Sequence, residues 1–250
     1  MNILIVESEN DQYFVQALAN LLNTSETEVC SIDDYKHSSL DKIKLKTQIG
    51  SALTTRDVSK VGIMLDMDDT TLENRFKLVN EALIDALKDN FDTDFVVSAP
   101  LKAIKEFIEI SIGEFTKIHF CCYFTNVGGS GELETLFKAI KTQDSTFADC
   151  ILEGWQNCIQ EKGKKVVRSG EKGGDIKEKE LLKLWVDFYK RFDTLKKSER
   201  NEDLTDWKGI WLGQTSKKGK IVTPRGSNIF NLESEVLKDV KDFLLLFNPK

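Results

Sequence analysis

The chain has 250 residues, 40% of them hydrophobic and 30% charged, with a formal net charge of −6. That apolar fraction is enough for a real core, and three prolines with no low-complexity tract exclude a fibrous or mostly disordered protein. No apolar run approaches the roughly 20 residues that cross a bilayer, and the opening MNILIVESEND lacks the basic start and long apolar stretch of a signal peptide. The expectation is a soluble cytoplasmic α/β protein with no membrane attachment.

Residues 2–6 (NILIV) are short, apolar and β-branched, which predicts a buried strand. Tyr13, Phe14, Ala17, Leu18, Leu21 and Leu22 then recur at helical spacing over 9–22. A second strand is predicted over 27–32, a short helix and loop within the Lys-rich 38–60, and a strong apolar strand over 61–65 ending at Asp66. Leu72, Phe76, Val79, Leu83 and Leu87 mark the inner face of a helix over 72–89. A strand at 94–98, a short helix from Leu101 to Ile110 and a central strand at 117–124 follow. Gly128, Gly129 and Gly131 turn the chain into a helix near 132–141.

The character changes near residue 143. Helices are expected over 146–161, over 176–197 (inner face Leu181, Leu184, Trp185, Phe188 and Phe192) and over 232–247. Residues 162–175 and 198–206 read as charged loops, and Trp207 to Leu212 as an apolar turn or strand. The whole predicts a mostly parallel sheet with helices on both faces over 1–142, and a mainly helical, basic extension over 143–250 packed on it.

Charge follows the same division. Residues 1–150 carry 14 Lys and Arg against 25 Asp and Glu, whereas 151–250 carry 21 against 16. A cation held by the first part and a polyanion held by the second would explain this; lysines that only solvate helices would too. The five cysteines show no C-x-x-C spacing, and with two histidines neither a disulfide framework nor a zinc site is expected.

In parallel α/β sheets, ligands gather at the carboxyl ends of strands. The first strand ends in Glu7, followed by Glu9 and Asp11; the strand over 61–65 ends in Asp66-Met67-Asp68-Asp69. If those strands are neighbours, Glu7, Asp66 and Asp68 converge. Carboxylates so crowded repel unless a cation neutralises them or their pKa values rise. A hard ion, Mg²⁺ or Mn²⁺, suits such oxygen ligands and stabilises phosphodiester displacement. Glu9 and Asp69 are expected only to cap helices.

The order hhhhVE-x-x-x-D, then hhhhD-x-D before a helix, resembles the Toprim domain of topoisomerases, primases and overcoming-lysogenisation-defect nucleases. The resemblance covers about residues 1–140. It implies Glu7 as metal ligand or general acid–base, and Asp66 and Asp68 as Mg²⁺ or Mn²⁺ ligands. It adds Asp11, four residues after Glu7, as a further acid. Gly128-Gly129-Ser130-Gly131-Glu132-Leu133-Glu134 is similar to the nuclease branch's later segment and offers Glu132 or Glu134 to a second metal site. The implied activity is a nuclease on DNA or RNA, in phage or mobile-element defence, with a protein partner encoded nearby. A Toprim-like module that binds without cleaving is the alternative. Ser8 stands where the family usually has glycine.

VGIMLDMDDTTL also resembles the first motif of haloacid-dehalogenase-like phosphatases. There Asp66 would be the nucleophile and Asp68 the acid–base, with Ser98 and Lys102 or Lys105 in support. The later acidic pair that such a site needs is missing. Phosphate contacts for a nuclease would come from Lys162, Lys164, Lys165, Arg168 and Lys172, with a second cluster at Lys217, Lys218, Lys220 and Arg225. Trp207 and Trp211 are expected to be packing residues rather than base-stacking platforms.

Overall fold

The computed structural model describes residues 1–24, 26–32, 41–68, 70–127, 131–161, 166–167, 176–200, 206–215, 219 and 221–248. In chain order the elements are β1 (Asn2–Val6), α1 (Glu9–Leu21), β2 (Thr27–Ser31), α2 (Lys42–Thr54), β3 (Lys60–Asp66), α3 (Leu72–Phe91), β4 (Phe95–Val97), β5 (Ile108–Ile112) and β6 (Thr116–Thr125). Then come α4 (Leu133–Ala139), α5 (Thr146–Glu161), β7 (Val166–Val167), β8 (Ile176–Lys177), α6 (Glu178–Phe188), a π-helical turn (Tyr189–Asp193) and α7 (Lys197–Arg200). The last are α8 (Trp207–Leu212), β9 (Gln214–Thr215), β10 (Ile221–Val222), α9 (Gly226–Ile229), a 3₁₀ turn (Glu235–Leu237) and α10 (Lys238–Leu245).

The chain divides into two units, Met1–Thr125 with Lys238–Lys250, and Asn126–Leu237. The boundary therefore falls before α4 rather than near residue 142, and the C-terminal helix rejoins the first unit.

The first unit is an α/β layer structure on a six-stranded sheet of order β2-β1-β3-β6-β5-β4. The β1–β2, β1–β3 and β3–β6 pairings are parallel; β5 and β4 add an antiparallel edge. The crossover from β1 to β2 runs opposite to that from β2 to β3, so right-handed connections put α1 and α2 on opposite faces. Ile3, Ile5, Val61, Ile63, Phe120 and Phe124 pack with α2 and α3 on one face. Their alternating neighbours meet the C-terminal helix on the other, where Tyr123 stacks on Phe243 (ring centroids 5.4 Å). A Cβ on Gly62 would lie 2.3 Å from Phe247 Cζ, so glycine is what lets the tail close on β3. The tail is tied there by Asn2 Nδ2, which donates to the Phe247 carbonyl (2.6 Å), and by Lys60 Nζ, which donates to the Leu246 carbonyl (2.6 Å).

One prediction in this unit fails. Residues 101–110 are not a helix; the chain enters β5 at Ile108, and Ile108-Glu109-Ile110-Ser111-Ile112 alternates with period two between β4 and β6. The expected short helix within 38–60 is a full 13-residue α2, with Leu45, Ile49, Ala52 and Leu53 buried and its lysines confined to the first turns. In α3, Leu72 is exposed at the first turn, while Val79, Leu83 and Leu87 are buried as expected.

The second unit is mainly helical and its core is aromatic. Phe137 stacks with Phe230 at 4.6 Å, Trp207 at 4.9 Å and Trp211 at 6.0 Å. Both tryptophans are thus packing residues. A Cβ on Gly226 would fall 2.0 Å from the Trp211 ring, so only glycine admits the indole. Residues 207–212 form a helix rather than a turn or strand, because Asp206 caps it by accepting from the Gly209 N–H (2.8 Å). The expected helix over 176–197 gives way to the π-helical turn after Phe188. Leu181, Trp185 and Tyr189 form the buried stripe at helical spacing, Lys190 is buried beside it, and Phe188 and Phe192 are half-exposed. All five cysteines are free thiols. Among the described residues, no helix is long and apolar enough to cross a membrane.

Candidate functional site

The parallel strands β1, β3 and β6 all end on one edge of the sheet, at Val6, Asp66 and Thr125. Glu7 leaves β1 at this edge and its Oε2 accepts the Asp66 backbone N–H at 3.3 Å. Two acids 59 positions apart are thereby adjacent. After Asp66 the chain holds its course briefly, since the Met67 N–H donates to the Thr125 carbonyl (3.0 Å). Asp68 then takes a left-handed backbone (φ 47°), and α3 begins behind Thr71, whose hydroxyl accepts the Asn74 N–H (3.2 Å).

Glu7 is half-buried, and its carboxyl is pushed up from 4.5 to about 7. Burial is the largest cause; the Asp11 and Asp68 carboxylates raise it further, while Arg75 and the Asp66 N–H oppose them. Asp68 Oδ2 accepts from Arg75 Nη2 at 2.5 Å. With that carboxylate drawn to the guanidinium, Glu7, Asp66 and Asp68 do not bring three oxygens within 4.8 Å of one another.

Asp11 has a second task. Its carboxylate accepts the Ser8 N–H at 2.7 Å while Ser8 Oγ accepts the Asp11 N–H at 3.3 Å, a capping box that starts α1. Ser8 is extended (φ −129°, ψ 166°), an unstrained conformation for serine, and its hydroxyl supplies the cap. Glu9 lies in the first turn and accepts the Tyr13 hydroxyl proton.

Glu132 and Glu134 lie in the second unit. Glu132 is the N-cap residue of α4 and is buried, its N–H donating to Thr135 Oγ1 (3.5 Å); Glu134 follows in the first turn. Lys162, Lys164, Lys165, Arg168 and Lys172 lie outside the described residues, as do Asp69, Gly128, Gly129, Ser130, Lys217, Lys218 and Lys220. Arg225, of the second cluster, faces Glu199 (3.7 Å).

The phosphatase constellation does not assemble. Ser98 follows β4, three strand positions from β3, about 14 Å at the usual strand spacing. Its hydroxyl accepts the Glu109 N–H (3.0 Å). Lys105 Nζ pairs with Asp239 at 2.6 Å, and Lys102 is exposed.

Arg75 is the site residue that sequence reasoning missed. It stands four residues before Val79, in line with the buried stripe Val79, Leu83 and Ala86 of α3. A charged residue on an apolar stripe, one helical turn from a cluster of acids, was the available signal.

Fold and edge together define an α/β protein with a mostly parallel sheet and acidic groups at its strand ends. The chain belongs to the family described as "Protein of unknown function (DUF3226)", whose profile matches residues 1–247. No curated protein and no solved structure matches it.

Proposed function

We propose that the chain is a Toprim-like, divalent-metal-dependent phosphodiester enzyme, a nuclease acting on DNA or RNA. The observation that carries this reading is the hydrogen bond from the Asp66 N–H to Glu7, which joins the ends of two adjacent parallel strands. The donor set fits a hard cation: Glu7 is an acid crowded by acids, with Arg75 opposing their charge, and carboxylate oxygens are the preferred ligands of Mg²⁺ and Mn²⁺. Glu7 and Asp66 are the assigned ligands, with Asp68 available if it leaves Arg75. By the same resemblance Glu132 or Glu134 serves a second ion.

When bound, the ion supplies charge neutralisation for the phosphodiester. The residues of the chain supply the proton transfer. Water attacks phosphorus, the bond to the leaving oxygen breaks, and one proton passes from the water to the leaving oxygen. In the acid–base role that the resemblance gives as the alternative to ligation, Glu7 would stay off the ion and accept and return that proton.

The test is cleavage of DNA and RNA with Mg²⁺ or Mn²⁺, against the same reactions in EDTA. Loss of cleavage in E7Q and D66N, both folded, is the expected result. Absence of both cleavage and divalent binding in the native chain overturns the reading. The Arg75–Asp68 ion pair favours a second reading, a Toprim-like module whose acids are neutralised internally and which binds without cleaving. Nucleic-acid binding that survives D66N, with no cleavage, would establish it.

A further inference from the structure

We propose that Arg75 is the built-in counter-ion of the acidic strand edge, and that a divalent cation binds there in competition with its guanidinium. This rests on the metal reading above. The Arg75 side chain is only 7% exposed, and Nη2 is held by Asp68 Oδ2 at 2.5 Å. Its charge also acts on Glu7. Its buried Nε–H has no hydrogen-bond partner. A guanidinium fork pairs best with two acceptors, and half a fork is a poor reason to bury an arginine. What Arg75 contributes here is positive charge, placed beside Asp68 and acting on Glu7.

A dication entering the same edge meets that charge at close range. The two cations repel, and both draw on Asp68. Binding is therefore coupled to release of Asp68 by Arg75, and the guanidinium lowers the apparent affinity for the ion. Without the ion, Arg75 holds the Asp68 carboxylate and offsets the charge acting on Glu7.

Mn²⁺ titration of the full chain at fixed pH and ionic strength tests this, with R75M and R75Q, which remove the charge and keep much of the volume. Both variants are expected to bind Mn²⁺ at least about tenfold more tightly than the native chain, since removing a like charge a few ångströms away is worth that much even at high effective dielectric. Both are also expected to melt earlier without Mn²⁺, with the difference closing when it is added. Tighter binding by the variants than by a native chain that itself binds upholds the inference; binding by the variants alone overturns it, because the native edge then holds no ion. Equal or weaker binding beside a native chain that does bind overturns it and leaves the metal reading standing. No binding by any of the three overturns both. A variant that folds only on adding Mn²⁺ supports the exchange of one cation for another. One that stays unfolded at saturating Mn²⁺ overturns it, because the ion then cannot replace the guanidinium.

Discussion

Glu7 in the first unit and Lys190 in the second are both ionisable groups drawn out of water, and their surroundings treat them oppositely. Lys190 is 2% exposed, yet its ammonium pairs with Asp187 at 2.7 Å and lies 3.7 Å above the Trp207 ring. Burial lowers its pKa, and Asp187, Asp206 and Glu134 resist the shift. Glu7 meets the reverse: after burial, its next two influences are further carboxylates that push it the same way. A charge that serves packing is given opposite charge. A carboxyl crowded by carboxylates and only partly offset by Arg75 and one N–H marks a candidate functional site. Under the proposed reading, the contrast assigns function to the strand edge and stability to the aromatic cluster.

The largest expected effect falls on the first member of the pair. E7Q removes a proton-transfer group without changing its shape, and divalent-dependent cleavage should fall by about 10²–10⁴-fold. The folded fraction, read by circular dichroism, should hold. A variant that cleaves at the native rate breaks the contrast at once. The next effect belongs to the second unit. F137A removes the ring on which Phe230, Trp207 and Trp211 converge, and should cost about 3–5 kcal/mol in urea unfolding.

The same contrast shows what a sequence can reveal. The ends of β1 and β3 were legible because each is an apolar run stopped by an acid, and parallel pairing makes such stops neighbours. The adjacency of Glu7 and Asp66 is therefore readable from the sequence. Arg75 was not, since its partner Asp68 is seven residues away across a left-handed turn and a helix cap that no periodicity announces. Residues 101–110 were misread because Leu101, Ile104 and Ile108 mimic helical spacing, while the alternation that makes β5 begins only at Ile108. The π-helical turn was invisible for a similar reason: one wide turn shifts every later residue off a 3.6 repeat. Trp207 and Trp211 read correctly as packing residues, but their helix depends on the Asp206 cap, which the apolar content of the segment hides.

A third expectation uses pH, with metal removed by EDTA. The folded Glu7 carboxyl titrates near 7 against an ordinary 4.5, so the folded state binds its proton more tightly than the unfolded chain. Its contribution is fully present below 4.5 and is lost as pH rises through 7. Linkage sets the loss at about 3 kcal/mol at most. Denaturant midpoints of the native chain should therefore decline across that window more steeply than those of E7Q. Equal slopes would mean that Glu7 is better compensated than its neighbours imply, and would erase its difference from Lys190.

The smallest effect is expected at Lys190 itself. K190M keeps the aliphatic stem over Trp207 and discards the ammonium. The loss is a cation–π contact of about 0.5–2 kcal/mol and an ion pair with Asp187, which is 66% exposed and worth about 0–1 kcal/mol. Against this stands the relieved cost of burying a charge, several kcal/mol for an ion in a low-dielectric site. Asp187, left alone, remains in water and pays nothing further. The terms nearly cancel, so K190M should unfold within about 1.5 kcal/mol of the native chain with an unchanged urea slope. A loss well beyond that would mean the ammonium holds Glu134 and Asp206 as well as Asp187, making Lys190 a counter-ion of the kind assigned to Arg75 rather than a packing residue that happens to be charged.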